Sequence, residues 1–255
     1  MPEGAHLEAE HITVRFGGLV AVDDVSVRAD LGEVVGIIGP NGAGKTTLFG
    51  AIAGTVRPER GTVRLGGRDL TRWPSHKRAR HGLGRTFQRL EVFGSLTVRE
   101  NLAYATEAAA LGASPLRLLS RHRHRRMDLV EASLEELGLR DVAEERAADL
   151  PPGLARLVEL GRALCAQPSM LLLDEPSSGL DRTETAALAA HVVDAARTRD
   201  LGIVLIEHDM TTVLSICQRL YVLDFGACIA EGPTAEVARR REVRDAYLGT
   251  TDHAR

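Results

Sequence analysis

Short apolar runs alternate along the chain with longer stretches of helical period, the pattern of an α/β domain. The first quarter is strand-rich. His11–Phe16, Val22–Arg28, Val34–Ile38 and Thr62–Leu65 read as strands broken by Gly and Asp turns. A helix is predicted from Lys45 to Ala53, closed by Gly54 as C-cap. From Thr97 to about Gly138 the pattern turns helical, opened by a Thr97-x-x-Glu100 capping box. A strand at Met170–Asp174, a helix after Asp181 and a strand at Ile203–Glu207 follow. A hairpin of Leu220–Leu223 with Ala227–Glu231 precedes two short C-terminal helices. No internal repeat and no low-complexity linker divides the chain, so one domain with a helical insertion is expected.

Two places in this pattern bring chemistry. Gly39-Pro40-Asn41-Gly42-Ala43-Gly44-Lys45-Thr46 fits G-x-x-x-x-G-K-S/T between a buried strand and a helix, with Thr47 next in line. Glycines let successive amides curl around a phosphate, and the helix N-terminus adds its dipole. Lys45 then reaches the outer phosphates and Thr46 can hold magnesium, which makes this a nucleoside-triphosphate site. Met170–Asp174 is an apolar strand ending in Asp174 and Glu175. Beside a phosphate loop, Asp174 is the expected magnesium holder and Glu175 the general base for the attacking water.

Composition narrows the class further. The chain has 255 residues, 44% of them hydrophobic, enough to bury a core. With 32 basic against 35 acidic residues the formal net charge is −3, which argues against a nucleic-acid coat protein. Lys45 and Lys77 are the only lysines, the other basic residues being Arg. Aromatics are scarce at 4%, so aliphatic side chains carry the packing. No run reaches the ~18–20 apolar residues of a membrane span, and Met1–Glu10 lacks an apolar signal region, so a cytosolic protein is expected. Cys165, Cys217 and Cys228 have neither metal-ligand nor redox spacing and read as reduced, mostly buried thiols.

Taken together in chain order, these residues resemble the ATP-binding cassette (ABC) ATPases, the motor subunits of membrane transporters. The resemblance implies a P-loop NTPase (RecA-like) core with an N-terminal antiparallel β subdomain and an inserted α-helical subdomain. It places the core at about 1–88 and 155–255 and the helical part at about 89–154. It implies ATP and Mg2+ as ligands and ATP hydrolysis as the reaction. Phe16 stands where the family stacks an aromatic on adenine, and Gln88, in Arg85-Thr86-Phe87-Gln88, resembles the glutamine that senses magnesium and lies near the membrane partner. The resemblance makes Gln88 a third magnesium-site residue beside Thr46 and Asp174. Ser177-Ser178-Gly179-Leu180-Asp181 is similar to the family's D-loop, with Asp181 also placed to cap the next helix. His208 matches the switch histidine that contacts the γ-phosphate.

One loop departs from the family. The signature, usually Leu-Ser-Gly-Gly-Gln, reads Leu150-Pro151-Pro152-Gly153-Leu154. The Ser hydroxyl is gone and two prolines remove two amide donors, while Gly153 survives and Pro suits a helix start. Family members work as two-fold sandwiches in which one chain's signature completes the other's nucleotide site. The resemblance therefore favours a heterodimer with a second ABC ATPase chain over a homodimer, docked on transmembrane permease subunits at the cytoplasmic face of the membrane.

Phe16-Gly17-Gly18-Leu19-Val20-Ala21-Val22, Arg85-Thr86-Phe87-Gln88 and Ala246-Tyr247-Leu248-Gly249 are similar to importers of branched-chain amino acids or similar small polar solutes. Lipopolysaccharide-export ATPases share part of this spelling. Soluble ABC proteins acting on ribosomes or nucleic acid usually carry two cassettes, and this chain has one phosphate loop. Arg121-His122-Arg123-His124-Arg125-Arg126 reads first as a solvated helix face, and second as a contact for a membrane partner or anionic headgroups. Without interleaved aromatics it has little to offer RNA.

Overall fold

The computed structural model describes residues 6–86, 90–113, 121–241 and 243. Two sheets organise them. The first has the antiparallel order β2 (Leu19–Ala29), β1 (Leu7–Phe16), β4 (Arg60–Leu65) and β5 (Arg68–Asp69). The second has the order β10 (Ala227–Pro233), β9 (Arg219–Asp224), β3 (Val34–Ile38), β8 (Gly202–Ile206), β7 (Met170–Asp174) and β6 (Leu83–Arg85). All its pairings are parallel except β10 on β9.

Every residue of β3, β7 and β8 is buried, as expected of parallel strands covered on both faces. The two faces feed different cores. Val34, Leu171, Leu173, Ile203 and Leu205 pack with α5 (Pro152–Cys165) and α6 (Arg182–Thr198). Val35, Ile37, Met170, Leu172, Val204 and Ile206 pack on the other side, with α1 (Lys45–Ala53) and the antiparallel sheet. Alternation between two buried faces thus explains why each of these strands reads as a nearly continuous apolar run.

The predicted elements are present, several with longer bounds: β1 and β2 extend to Leu7 and Ala29, and the helical stretch resolves into α3 (Val98–Ala113) and α4 (Arg121–Glu136). The capping box forms, with the Thr97 hydroxyl accepting from the Glu100 amide at 3.1 Å and the Glu100 carboxylate accepting from the Thr97 amide at 2.9 Å. Four short elements escaped the pattern: β5, α2 (Ser75–Arg80), β6 and α7 (Met210–Ile216). The strands have two and three residues and the helices six and seven, too few for a period to register. The hairpin is followed by α8 (Thr234–Val237), and the second expected helix falls largely outside the described residues. Cys165 and Cys217 are buried free thiols, as expected, and Cys228 is partly buried. Among the described residues no helix is long and apolar enough to cross a membrane.

Arg78 of α2 is among the largest fully buried side chains, 1% exposed. Its guanidinium donates to the carbonyls of Ala51 and Ile52, at 2.7 and 2.5 Å, and to Trp73 and Thr71, both at 2.9 Å. Ala51 and Ile52 lie in the last turn of α1, whose carbonyls carry the negative end of the helix dipole. Burial pulls the Arg78 pKa down to about 10, still charged at neutral pH. Replacing Arg78 with Met leaves these carbonyls buried without their donor. A loss of about 3 kcal/mol or more in a denaturant titration is expected, against near-neutrality for the same change at exposed Arg80.

Candidate nucleotide-binding and hydrolysis site

The carboxyl ends of β3, β8, β7 and β6 lie along one edge of the sheet because the strands are parallel. In open α/β sheets that edge is where ligands bind. The chain from β3 turns through Gly39 to Gly44 into α1. Gly39, Gly42 and Gly44 have φ of 153°, 84° and 97°, conformations that side-chain-bearing residues rarely adopt. A Cβ on Gly39 would stand 2.2 Å from the Leu223 carbonyl oxygen, and one on Gly44 2.3 Å from that of Ala21. The loop is thus pressed against β9 and β2 from below, with Asn41, Gly42 and Thr46 exposed above.

The N-terminus of α1 has no side-chain cap, which leaves the positive end of the helix open to an anion. Lys45 is 7% exposed and donates to the carbonyls of Gly39 at 2.7 Å and Pro40 at 3.0 Å, so the ammonium is held inside the loop. Burial pulls its pKa down, while Glu175 and Asp174 pull it back up.

Asp174 ends β7 and is 3% exposed. Its carboxylate is paired with Arg85 at 3.2 Å, a partner that strand pattern could not supply because Arg85 comes from β6. Burial raises the Asp174 pKa, opposed by Arg85 and Lys45. A divalent cation is the kind of charge such a strained carboxylate accommodates, and exposed Thr46 offers the hydroxyl expected beside it. The site therefore fits Mg2+ with a polyphosphate. Glu175 follows in the left-handed region, φ 48°, with its amide donating to the Ile206 carbonyl at 3.0 Å. Strain of this kind persists where surrounding contacts hold it.

His208 follows β8 by two residues and is exposed. Phe16 ends β1 beside the Gly17-Gly18 turn and is 53% exposed, on the hairpin whose second strand abuts the loop. Gln88 lies outside the described residues. Just beyond it, the amide and carbonyl of Glu91 are bonded to Glu159 and Arg162 of α5.

The unusual Leu150-Pro151-Pro152-Gly153 segment leads into α5, with Pro151 at N-cap and Pro152 first in the helix. Both prolines are exposed. The Gly153 amide donates to the Glu184 carboxylate at 3.1 Å. The other oxygen of Glu184 accepts from the Asp181 amide at 3.1 Å, while Asp181 accepts from the amides of Thr183 and Glu184 at 2.7 and 2.8 Å. Asp181 is therefore the N-cap of α6 in a full capping box, as predicted, and Glu184 ties that box to the start of α5. Exposed Ser178 donates its amide to the Glu175 carbonyl at 3.1 Å.

Sequence reasoning missed Arg85, Glu184, Glu207 and Phe225. Phe225, in the left-handed region at φ 42°, is 92% exposed on the β9–β10 turn. That turn is tied to the phosphate loop by the Gly226 amide, which donates to the Ala43 carbonyl at 3.1 Å. Only the apolar-to-acidic switch at Ile206-Glu207 was visible in advance, and it read as a strand end.

Comparison with known proteins places this geometry. The family model described as ABC transporter matches residues 22–178, and that of the branched-chain amino acid ATP-binding cassette transporter matches residues 227–253. The chain is 37% identical over 250 residues to the high-affinity branched-chain amino acid transport ATP-binding protein BraF of Pseudomonas aeruginosa, covering 95% of this chain and 97% of that protein. Against LivG of Salmonella typhimurium, with the same described role, identity is 38% over 248 residues and coverage 95% and 97%. The lipopolysaccharide export ATP-binding protein LptB of Acidithiobacillus ferridurans is 37% identical, with coverage of 95% and 96%. Among solved structures, the ADP conformation of MJ1267, an ATP-binding cassette of an ABC transporter, superposes with a TM-score of 0.83 at 32% identity, covering 95% of this chain and 98% of that one. A nucleotide-free cassette from an ABC transporter gives 0.81 at 31% identity, covering 94% and 98%. The open helix N-terminus, the buried lysine and the adjacent carboxylates thus sit on a P-loop ATPase fold, and the chain belongs to the ABC transporter family as an ATP-binding, ATP-hydrolysing subunit.

Proposed function

We propose that this chain powers import of branched-chain amino acids or similar small polar solutes from the cytoplasmic face of the membrane. The observation that carries the catalytic part is the meeting of Lys45, Asp174, Glu175 and His208 at one edge of the parallel sheet. Gly39 to Thr47 hold the phosphates, with Phe16 against the base. Thr46, Asp174 and Gln88 hold the magnesium, which supplies charge neutralisation on the transferred phosphoryl group. Glu175 takes the proton of the attacking water and His208 supports the γ-phosphate. The core runs over about 1–88 and 155–255, and 89–154 forms the helical part. The C-terminal family match and the two importer relatives favour amino-acid import over the exporter reading that LptB represents.

Beside the segment after Gln88, Phe93 and Tyr104 form an edge-to-face pair with ring centroids 4.8 Å apart, and Arg162 stacks over Phe93. Leu90, Phe93 and Tyr104 are 41%, 39% and 52% exposed in a chain poor in aromatics. This is the surface offered to the permease.

The signature supports a heterodimer. The N-cap Pro151 and the first helical residue Pro152 of α5 have no amide hydrogen and the next amide, of Gly153, donates to Glu184, so this loop has little left to offer a phosphate of a facing chain.

Glu175→Gln is expected to bind ATP as tightly as the parent and to lose about 10²-fold or more in turnover; unchanged turnover refutes the assignment. The chain alone is expected to hydrolyse ATP at least about tenfold more slowly than a mixed assembly with an ATPase chain of intact Leu-Ser-Gly-Gly-Gln signature, a loss typical of one missing phosphate donor. Full activity alone sinks the heterodimer reading. Uptake of labelled leucine by the reconstituted assembly checks the substrate class, and Phe93→Ala with Tyr104→Ala should cut uptake while leaving ATP affinity unchanged.

A further inference from the structure

Glu207 follows the last residue of β8, has no exposed surface, and has no part in the chemistry assigned so far. Placing a carboxylate in the interior is expensive unless its oxygens are bonded. Both are. One oxygen accepts from the Ser177 amide at 2.9 Å and the Ser177 hydroxyl at 2.6 Å. The other accepts from the His208 amide at 3.2 Å, with the His208 ring Nδ1 at 3.9 Å.

The partners of the two oxygens belong to different loops. Ser177 lies two residues beyond Glu175, on the loop after β7, and His208 opens the loop after β8. A second link runs between the same loops, from the Glu175 amide to the Ile206 carbonyl. Glu175 in its left-handed conformation is thus gripped on its upstream side by Ile206 and on its downstream side, through Ser177, by Glu207. The surroundings are mainly apolar: Leu173, Leu188, Val192, Leu205 and Ile216 line the small cavity that Glu207 adjoins, with the threonines Thr185 and Thr212 among them. A packing role there would be met at lower cost by an aliphatic side chain.

We propose that Glu207 is a positioning residue for ATP hydrolysis: its buried carboxylate, bridging Ser177 and His208, fixes the water-activating Glu175 and the phosphate-contacting His208 relative to each other. This rests on the roles proposed above for Glu175 and His208. An amide at 207 cannot serve both sides, because whichever way it turns, its NH2 faces an N–H donor at Ser177 or at His208. A displacement of about 1 Å at either group suffices to slow a reaction that depends on alignment.

The test uses the full chain in whichever assembly, alone or mixed, turns over ATP faster. Rates are divided by the number of ATP-binding sites measured by nucleotide titration. Glu207→Gln is expected to lower kcat about tenfold or more with KM for ATP within about twofold, and to cause a smaller further loss in a His208→Ala background, where only the positioning of Glu175 remains to be disturbed, since groups acting as a unit are non-additive. Ser177→Ala, which leaves the carboxylate intact, should show a smaller kcat loss that Ser177→Thr restores; this pair carries the test if Glu207→Gln does not fold. Loss by the same factor in both backgrounds, or a loss that vanishes on division by site number, marks a structural role and overturns the proposal. Undiminished turnover in Glu207→Gln beside a slow His208→Ala removes this inference alone, whereas undiminished turnover in His208→Ala removes the site reading and the inference with it.

Discussion

Ile37, Ile206 and Asp174 lie on one rung of the central sheet, β8 pairing through Ile206 with both neighbours. Much of the site follows from that rung. Gly39 comes two residues after Ile37, Glu207 and His208 one and two after Ile206, and Glu175 one after Asp174. Parallel pairing places these residues at the same height, and burial of both faces forbids a slip. A one-residue shift would turn Leu171 and Leu173 from the α5–α6 core into the α1 core and point Asp174 the wrong way. The chemistry is thus held in register by aliphatic packing that touches no ligand.

The helix N-termini meet that frame differently. Helix α1, N-capped by Gly44, has no side-chain cap, which leaves its first amides open to an anion. Helix α6 is closed by its own Asp181–Glu184 box, and α5 begins with two prolines and lends its Gly153 amide to Glu184. One carboxylate thereby serves two helix starts, tying the Pro151-Pro152-Gly153 segment to the N-cap of α6. Helix α4 is opposite in kind. It opens on Arg121-His122-Arg123-His124-Arg125-Arg126 and ends on Glu135-Glu136, against the dipole at both ends, which weakens it by a few tenths of a kcal/mol per charge.

What could be read beforehand was whatever a short stretch of chain decides by itself. The phosphate loop was legible because backbone geometry and lysine are both demanded within eight consecutive residues, Gly39 to Thr46. The capping box at Thr97 and the Asp181 cap were legible for the same reason. Contacts between distant segments were not. Arg85 meets Asp174, Gly153 meets Glu184, and Ser177 meets Glu207 only after the strands have paired and the helices have packed. Arg78 is a sharper case: in sequence it sits among exposed basic residues of a six-residue helix, and only the position of the α1 C-terminus makes it a core residue. The double proline and the two amide donors it removes were visible, but not that Glu184 takes the remaining Gly153 amide.

The contrast between Arg78 and Lys45 also accounts for the lopsided basic composition. A guanidinium spreads one charge over a planar fork, and Arg78 uses it to reach four carbonyls from two segments. Arg199 does the same, bonding Glu136, Ser133 and the Leu164 carbonyl at the junction of α4, α5 and α6. Where many acceptors must be gathered, Arg is the stronger choice, and the chain uses it almost throughout. Lys45 has the opposite task. It lies inside the loop, 7% exposed, and its compact ammonium bonds the carbonyls of both Gly39 and Pro40 there. A guanidinium held at the same point would press on the carbonyls that shape the loop. Retention of lysine at position 45, in a chain with one other lysine, is therefore a consequence of the space available rather than of the charge required.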